Sequence, residues 1–347
     1  MPERGPLRHA VLELTNRCNL RCPHCASSSG EAREGELSTA EWLALLAQMK
    51  SLGGEEVTLL GGELFLRPDW LELARAARDL GLRLVLISNG LLLRDDATFA
   101  ALRELAPRIV GISVDGATRE SYRALRGVDG LDRCLAVLER LRDDGHENVN
   151  AVTTFLRANL HEFDAFASLF EGRRLNWQVQ LANKGGGRFD AAQFLTRNDY
   201  AWLVRRMRDA FVERRETLWL CPMDDFGYFP LDPALRFLHR TWRGCIAGVE
   251  LLGIRANGDV LPCLSLGDSF VAGNLRRTPL RELWESGTAF RAFRTKEDRL
   301  AGECARCPHG PACRGGCSAI AWSATGGIGC DPYCIRSLEV GEILSEL

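Results

Sequence analysis

Residues 9–25 read His-Ala-Val-Leu-Glu-Leu-Thr-Asn-Arg-Cys-Asn-Leu-Arg-Cys-Pro-His-Cys, an apolar run that leads directly into three closely spaced cysteines. Similar short apolar runs recur along the first two thirds of the chain, at 9–14, 55–60, 82–87, 109–114, 148–154 and 175–182. Stretches with helical spacing lie between and after them, at 38–52, 68–80, 95–105, 130–144, 159–171 and 196–215. Short apolar strands that alternate with amphipathic helices predict an α/β fold with a parallel sheet built from βα units.

The number of these units limits the shape of the sheet. Six βα units are too few to close an eight-stranded barrel, so we expect an open, partial (β/α)6 barrel. In sheets of this kind the active site lies at the carboxyl ends of the strands. The cysteines that follow the first apolar run therefore lie where a βα loop meets the expected active site. The glycine run at 184–188 is interpreted as a flexible exit from the sixth strand.

The last third of the chain has a different texture. From about residue 216 onward, helical spacing fades and cysteine, glycine and proline become dense. The segments 251–256 and 259–263 flank Asn257-Gly258, a pair typical of two-residue hairpin turns. A region with so little apolar pattern is not expected to fold unaided, and bound metal can supply the missing stability. We therefore predict a partial barrel over 1–215 and a small cysteine-rich domain with a β-hairpin over 216–347.

The overall composition gives no sign of nucleic-acid or membrane binding. The 347 residues carry a formal net charge of −2 at pH 7, so there is no electrostatic reason to expect nucleic acid or an anionic membrane as a partner. No run approaches the roughly 18 apolar residues of a membrane helix. The first residues lack an apolar signal core, so we expect a cytoplasmic protein. In that reducing compartment, clustered cysteines among the total of 13 are expected to bind metal rather than to form disulfides.

Cys18, Cys22 and Cys25 are the strongest chemical signal in the sequence. Three thiolates this close in one loop can hold three corners of a [4Fe–4S] cluster and leave the fourth iron open to another ligand. The alternative is a zinc site with His24 as the fourth ligand. Because adjacent His24 and Cys25 rarely reach one small ion together, the cluster is the favoured interpretation.

The Cys-x3-Cys-x-aromatic-Cys pattern resembles the hallmark of the radical SAM (S-adenosylmethionine) superfamily, with His24 in the aromatic position. Further family-like motifs stand at successive strand ends, namely Gly61-Gly62-Glu63, Ser88-Asn89-Gly90 and Ile112-Ser113-Val114-Asp115-Gly116. Arg126-Gly127 resembles a further family pair. Leu64 stands where the family often has proline. The resemblance implies that the SAM site is formed by His24, Gly61, Gly62, Glu63, Ser88, Asn89, Ser113, Asp115, Arg126 and Leu181.

The same resemblance implies roles for these residues. The Gly-Gly-Glu segment would contact the methionine amino group, and its glycines would let the backbone approach the ligand closely. The segments at Ser88 and Ser113 would line the ribose and the carboxylate, Arg126 would approach the carboxylate, and Leu181 would lie near the adenine. One electron, from a donor such as flavodoxin or ferredoxin, would cleave SAM into methionine and a 5′-deoxyadenosyl radical. That radical would then abstract hydrogen from the substrate.

A second cysteine set resembles the SPASM extension of this superfamily, which houses up to two auxiliary [4Fe–4S] clusters. The resemblance implies two ligand groups, Cys245, Cys263 and Cys317 for the first cluster and Cys304, Cys307, Cys313 and Cys334 for the second. Cys221 could complete the first group, which could also stay open to substrate. Cys330 is left over as a ligand, a hydrogen-atom donor or a bystander. On spacing alone, a zinc ribbon is the alternative.

Candidate catalytic groups outside the clusters are few. Asp225, next to Asp224, could act as a base, because paired carboxylates raise the pKa of one of them. A solvated carboxylate pair in a loop is the alternative. Cys221 or Cys330 could donate a hydrogen atom to a substrate radical.

SPASM enzymes most often act on peptides and proteins, and related enzymes act on tetrapyrroles, sugars or aminocyclitols. The resemblance therefore favours an oxidoreductase that modifies a ribosomally made peptide or a protein side chain by crosslinking, epimerisation or oxidation. The alternatives are a radical dehydrogenase or epimerase of a small molecule such as a sugar or aminocyclitol, and a non-enzymatic scaffold held together by zinc. Because only 17 residues precede Cys18, we expect no fused leader-peptide domain, and instead a separate leader-binding protein or direct docking of the substrate.

Overall fold

The computed structural model describes residues 5–238 and 242–346. Its centre is a parallel sheet in which the first six strands lie side by side in chain order. They are β1 His9–Glu13, β2 Glu56–Leu60, β3 Arg83–Ser88, β4 Ile109–Ser113, β5 Val149–Phe155 and β6 Asn176–Leu181. The six predicted strands are confirmed, each to within one residue at either end.

Helices connect these strands. They are α1 Thr39–Ser51, α2 Trp70–Asp79, α3 Asp96–Leu105, α4 Arg119–Arg126, α5 Leu131–Asp143, α6 Phe163–Phe170 and α7 Arg197–Arg214. The six predicted helices are present, and α4 is an addition. It begins at a capping box formed by Thr118 and Ser121 and ends at Gly127, whose φ of +78° suits glycine.

The sheet does not stop at the sixth strand. Four more strands join it, β7 Trp219–Pro222, β8 Leu251–Ile254, β9 Asp259–Leu261 and β10 Gly273–Asn274. Strand β7 pairs in parallel with β6, and β8 pairs in parallel with β1, so both edges of the barrel sheet are extended by residues after 215. The strand order is β10-β9-β8-β1-β2-β3-β4-β5-β6-β7. Its two end strands, β10 and β7, are not paired with each other in the described chain, so the barrel is open, as predicted. The division of the chain at residue 215 stays a prediction.

The predicted hairpin forms with a different turn. Strands β8 and β9 are antiparallel, and the Arg255 N–H donates to the Asp259 carbonyl at 2.9 Å. That bond encloses a three-residue loop, 256–258, rather than the two-residue turn that Asn257-Gly258 predicts. Gly258 has a φ of +87°, as the last residue of such a loop requires.

An aromatic cluster fills the space between the sheet and α6. Phe155, Phe163, Phe166, Phe170 and Trp177 are all buried, with ring centroids about 5 to 6.4 Å apart. The Trp177 indole N–H donates to Thr153 Oγ1 at 3.0 Å, so its one polar atom is satisfied. This packing fixes β5 and β6, whose carboxyl ends form part of the candidate site.

Short helices follow β10. They are α8 Leu280–Glu285, α9 Arg291–Arg294, α10 Gly310–Cys313, α11 Ser318–Thr325 and α12 Ile335–Glu346. None of the helices in the described ranges is both long enough and apolar enough to span a lipid bilayer.

Candidate functional site

The carboxyl ends of the central strands surround a cavity of about 220 Å³. Its wall includes all three cysteines of the N-terminal loop, Cys18, Cys22 and Cys25. It also includes most residues that the sequence assigned to SAM, namely His24, Gly61, Gly62, Ser88, Asn89, Ser113, Asp115, Arg126 and Leu181. A larger, more open hollow of about 600 Å³ beside Arg21 and Glu34 has no cysteine in its wall. The smaller cavity is therefore the candidate active site.

Two of the three loop sulfurs accept hydrogen bonds from the backbone. The Leu20 N–H lies 3.4 Å from Cys18 Sγ, and the Ser29 N–H lies 3.4 Å from Cys25 Sγ. Burial raises the pKa of the Cys18 thiol to about 11, and a bound metal would favour the thiolate instead. Hydrogen bonds to the sulfurs are a feature of cysteines that hold iron–sulfur clusters.

The third sulfur is contacted by a side chain. Arg126 Nη1 lies 3.5 Å from Cys22 Sγ. Arg126 Nε is also 2.8 Å from Asp115 Oδ2, an ion pair in which the N–H direction does not make a hydrogen bond. The other contacts of Asp115 are His24 Nε2, 2.7 Å from Oδ2, and the Thr154 N–H, 2.8 Å from Oδ1. Arg126 and Asp115, both assigned to SAM by resemblance, therefore bind each other in this structure.

Asp115 is completely buried and charged. Burial alone would raise the pKa of its carboxyl, but Arg126 and His24 lower the pKa to about 2. His24 Nδ1 is also buried and has no hydrogen-bond partner among the described residues. His24 therefore presents one ring nitrogen to Asp115 and keeps the other free beside the cavity.

The support for an iron–sulfur cluster at the three cysteines is the set of thiols and their N–H contacts, and the described residues form no preformed site for a single metal ion there. Among residues 5–238 and 242–346, no three His, Cys, Asp or Glu side chains are placed to bind a single metal ion. The donor set does suit a three-thiolate cluster, because three thiols line one cavity and each sulfur accepts an N–H.

Glu63 does not line the cavity, and its carboxylate ties two strand ends together. The side chain is 1% exposed and accepts hydrogen bonds from Ser88 Oγ at 2.8 Å and from the Asn89 N–H at 2.9 Å. Ser88 and Asn89 are thereby fixed at the end of β3, beside the end of β2. A direct contact of these three residues with SAM stays a prediction.

The glycines before Glu63 are needed for a contact within the chain. A Cβ on Gly61 would lie 2.5 Å from the Thr15 carbonyl oxygen, and one on Gly62 would lie 2.3 Å from the Arg17 carbonyl oxygen. The resemblance implies that the glycines admit a ligand. In the structure they let the end of β2 pack against the loop that leads to Cys18, which holds that loop at the cavity.

The glycine run at 184–188 closes over the cysteine loop, so its interpretation as a simple strand exit was incomplete. A Cβ on Gly186 would lie 2.5 Å from the Ala26 carbonyl oxygen, which explains the glycine. Arg188 then donates to the carbonyl oxygens of Cys22, Ser28 and Ser29 at 2.7 to 3.3 Å. Sequence reasoning missed Arg188, and the only signal was its place at the end of the glycine run.

The three cysteines that the resemblance assigns to the first auxiliary cluster lie in one neighbourhood, and their role as its ligands stays a prediction. Cys245, Cys263 and Cys317 pack against one small apolar cluster, formed by Ala247, Leu266, Phe293 and Ala319. Cys245 Sγ also accepts a hydrogen bond from Ser318 Oγ at 3.2 Å. Cys221, proposed as a fourth ligand, is not a member of that cluster in the described chain. It lies on β7, where burial raises the pKa of its thiol.

The second auxiliary group contains the surplus cysteine. The Cys304 thiol is hydrogen-bonded to Cys330 and interacts with Cys334 and Cys313. The Cys304 hydrogen bond lowers the pKa of Cys330. Cys307 lies in the same turn as Cys304, its N–H 3.3 Å from the Cys304 carbonyl oxygen. The structure thus places Cys330 among the expected ligands of the second cluster.

Asp225 is buried between the cavity and the first auxiliary group. Its side chain is 8% exposed, and Oδ2 accepts the Leu181 N–H at 2.6 Å. Three residues later, the Tyr228 hydroxyl accepts the Cys317 N–H at 3.0 Å. Burial raises the pKa of Asp225 to about 8, and the nearby Asp224 adds to this. The alternative of a solvated pair is therefore wrong for Asp225 and holds only for the exposed Asp224.

The sequence matches the profile of the radical SAM superfamily over residues 12–170 and that of the SPASM iron–sulfur cluster-binding domain over residues 245–308. It is 32% identical to the AdoMet-dependent heme synthase of Methanosarcina barkeri, across 93% of this chain and 95% of that protein. It is 31% identical to the mycofactocin maturase MftC of Mycobacterium tuberculosis H37Rv, across 93% of this chain and 82% of that protein.

A solved structure has the same fold. Streptococcus suis SuiB, bound to its precursor peptide SuiA, superposes with a TM-score of 0.73 at 19% identity, over 95% of this chain and 75% of SuiB. The two family profiles overlap the two cysteine regions described above. The similarity to known enzymes extends over nearly the whole length of the chain. This chain therefore belongs to the radical SAM superfamily and carries its SPASM domain, so it is an enzyme that uses SAM, a [4Fe–4S] cluster and auxiliary iron–sulfur clusters.

Proposed function

We propose that this enzyme modifies a ribosomally made peptide or a protein side chain by radical chemistry, through crosslinking, epimerisation or oxidation. When bound, SAM and the reduced cluster supply a 5′-deoxyadenosyl radical that abstracts hydrogen. Cys18, Cys22 and Cys25 would hold that cluster. The cysteines around Cys317 and Cys304 would hold two auxiliary clusters, which supply an electron acceptor.

The observation that carries the proposal is the position of Asp225. Its carboxylate contacts the cavity wall at Leu181, and the same short loop contacts Cys317 of the first auxiliary group through Tyr228. An oxidation that starts with hydrogen abstraction must also remove one proton and one electron from the substrate radical. Asp225 would take the proton, and the neighbouring auxiliary group would take the electron.

The peptide substrate is inferred from the relatives. MftC is named as a maturase, and SuiB was solved with a precursor peptide. The open sheet also leaves one side of the barrel without a further strand, as far as the described chain shows, which suits a substrate longer than a metabolite. A separate leader-binding protein, a flavodoxin or ferredoxin as electron donor, and a reducing cytoplasm complete the proposal.

The test is product formation from a peptide. Anaerobically reconstituted enzyme, dithionite and SAM would be incubated with the peptide encoded by a short reading frame beside the gene. We expect 5′-deoxyadenosine together with a modified peptide, and deuterium transfer from labelled peptide into 5′-deoxyadenosine. Mass spectrometry in D2O would show a loss of hydrogen for a crosslink or an oxidation, and a gain of one deuterium for an epimerisation. Deoxyadenosine formation that does not depend on the peptide, with the peptide unchanged, would contradict the proposal.

A second candidate is a tetrapyrrole oxidation. The observation in its favour is the 32% identity to a heme synthase that this chain covers almost completely. The same assay with an iron porphyrin carrying propionate side chains distinguishes the two candidates. Conversion of the porphyrin, with the peptide left intact, would favour the second.

A further inference from the structure

The three loop sulfurs receive their hydrogen bonds from two different sources. The backbone amides of Leu20 and Ser29 donate to Cys18 and Cys25, and these donors are neutral and belong to the loop itself. The Asn89 side-chain amide, 4.0 Å from Cys18 Sγ, is also neutral. The third, Cys22 Sγ, is served by the guanidinium of Arg126, which carries a full positive charge from the end of α4. Cys22 is therefore the one sulfur of the loop whose described donor is a charged side chain.

Arg126 is held in this orientation from both sides. Its side chain is only 11% exposed, and Nε lies 2.8 Å from Asp115 Oδ2. Asp115 is in turn fixed by His24 and by the Thr154 N–H, and Gly127 ends α4 directly after Arg126. Because burial removes the screening of solvent, a charge held here acts strongly on the neighbouring sulfur.

We propose that Arg126 sets the reduction potential of the cluster held by Cys18, Cys22 and Cys25, by donating to Cys22 Sγ, and that Asp115 and His24 position it for this task. A positive donor at a ligand sulfur stabilises the reduced, more negative form of a cluster and so raises its potential. The proposal rests on the superfamily assignment and is independent of the substrate. It differs from the role that the resemblance implied, a contact with the SAM carboxylate.

The two roles make different predictions in the absence of SAM. A residue that only binds the SAM carboxylate changes the affinity for SAM and leaves the SAM-free cluster as it was. A residue that donates to Cys22 changes the potential of the cluster before SAM is added. The midpoint potential of the SAM-free enzyme therefore separates them.

The experiment is a redox titration of reconstituted, SAM-free enzyme followed by electron paramagnetic resonance. The signal of the Cys18→Ala/Cys22→Ala/Cys25→Ala protein, which keeps its auxiliary cysteines, is subtracted. For Arg126→Gln we expect the ratio of reduced to oxidised cluster at a fixed potential to fall about tenfold, a midpoint about 59 mV more negative for a one-electron couple. Arg126→Lys keeps the charge and should lie between the two.

The matched control is Arg123→Gln. Arg123 lies on the same helix and its guanidinium pairs with Asp129 at the surface, so this variant removes a positive charge without touching Cys22. Its midpoint should equal that of the wild type. Three results would overturn the proposal: an Arg126→Gln midpoint at the wild-type value with weakened SAM binding, equal shifts in both variants, or loss of the cluster in both Arg126 variants. The last counts against it because a tuning contact is not required for assembly.

Discussion

The two cysteine regions of this enzyme are built on different supports. The N-terminal loop lies on a parallel sheet whose core includes the large aromatic cluster around Trp177, and its sulfurs are met by ordered N–H donors. The segment 302–316, which carries Cys304, Cys307 and Cys313, contributes no residue to the buried apolar clusters of the described chain. We therefore expect the barrel to keep its fold without iron, whereas the segment 302–316 needs its cluster in order to fold.

Removal of iron should have the largest effect of the changes considered, and it should affect the two regions differently. In protein prepared without iron, amides of the segment 302–316 should lose their protection from hydrogen exchange, because that segment contributes no residue to the buried apolar clusters of the described chain. Amides of β1 to β6 should keep theirs. Equal protection in both regions with and without iron, measured by mass spectrometry, would contradict the account.

Asp225→Asn tests the contact between the two regions, because Asp225 lies between the SAM cavity and the first auxiliary group. Loss of the base should lower product formation about 10²- to 10⁴-fold, while SAM cleavage to 5′-deoxyadenosine continues. Because burial raises the pKa of Asp225 to about 8, the wild-type product rate should rise between pH 7 and 9 as the carboxylate ionises. The variant should lose that rise.

Asp224→Asn is the matched control for Asp225→Asn, since Asp224 is the exposed neighbour of Asp225. Its product rate should stay close to that of the wild type. The rise with pH should remain and move to slightly lower pH, because the charge of Asp224 helps to raise the pKa of Asp225. A pH profile that is unchanged in Asp225→Asn would remove Asp225 from the mechanism.

Phe166→Ala should destabilise the barrel whether or not iron is bound. The residue is buried within the aromatic cluster, and truncation of a buried phenylalanine costs about 3–5 kcal/mol. We expect that loss in the unfolding of the barrel, followed by urea denaturation of both iron-loaded and iron-free protein. A loss seen only with iron bound would mean that the barrel core depends on the clusters.

Ser38→Ala should have the smallest effect of the series. Its hydroxyl accepts the Glu41 N–H at the start of α1, and loss of such a cap costs about 1 kcal/mol. The same denaturation should show this small loss, with the SAM cleavage rate unchanged. A large fall in iron content would contradict the view that α1 only supports the sheet.

The sequence predicted the barrel well because each element has its own periodic signal. The apolar runs and helical stretches each cover a complete element, so the bounds agree closely with the structure. Helix α4 was missed because it buries only Tyr122 and Leu125, too few apolar positions to show a period. Its capping residues, Thr118 and Ser121, were the available signal.

The candidate site was predicted in its members and less well in its contacts. Motif order named the residues that line the cavity, but the pairing of Arg126 with Cys22 joins residues 104 positions apart. The burial of Asp225 likewise depends on the end of β6, 44 positions earlier. Contacts of this kind are set by how the helices and loops pack on the sheet, which no local pattern encodes.

The central claim is that the cavity at the strand ends cleaves SAM with a cluster bound by Cys18, Cys22 and Cys25. The direct test is to quantify 5′-deoxyadenosine after anaerobic reconstitution and reduction with dithionite, for wild-type protein and for the Cys18→Ala/Cys22→Ala/Cys25→Ala variant. We predict that the wild type forms 5′-deoxyadenosine and that the variant forms none while it still binds auxiliary iron. Absence of 5′-deoxyadenosine from the wild type, or equal amounts from both proteins, would contradict the account.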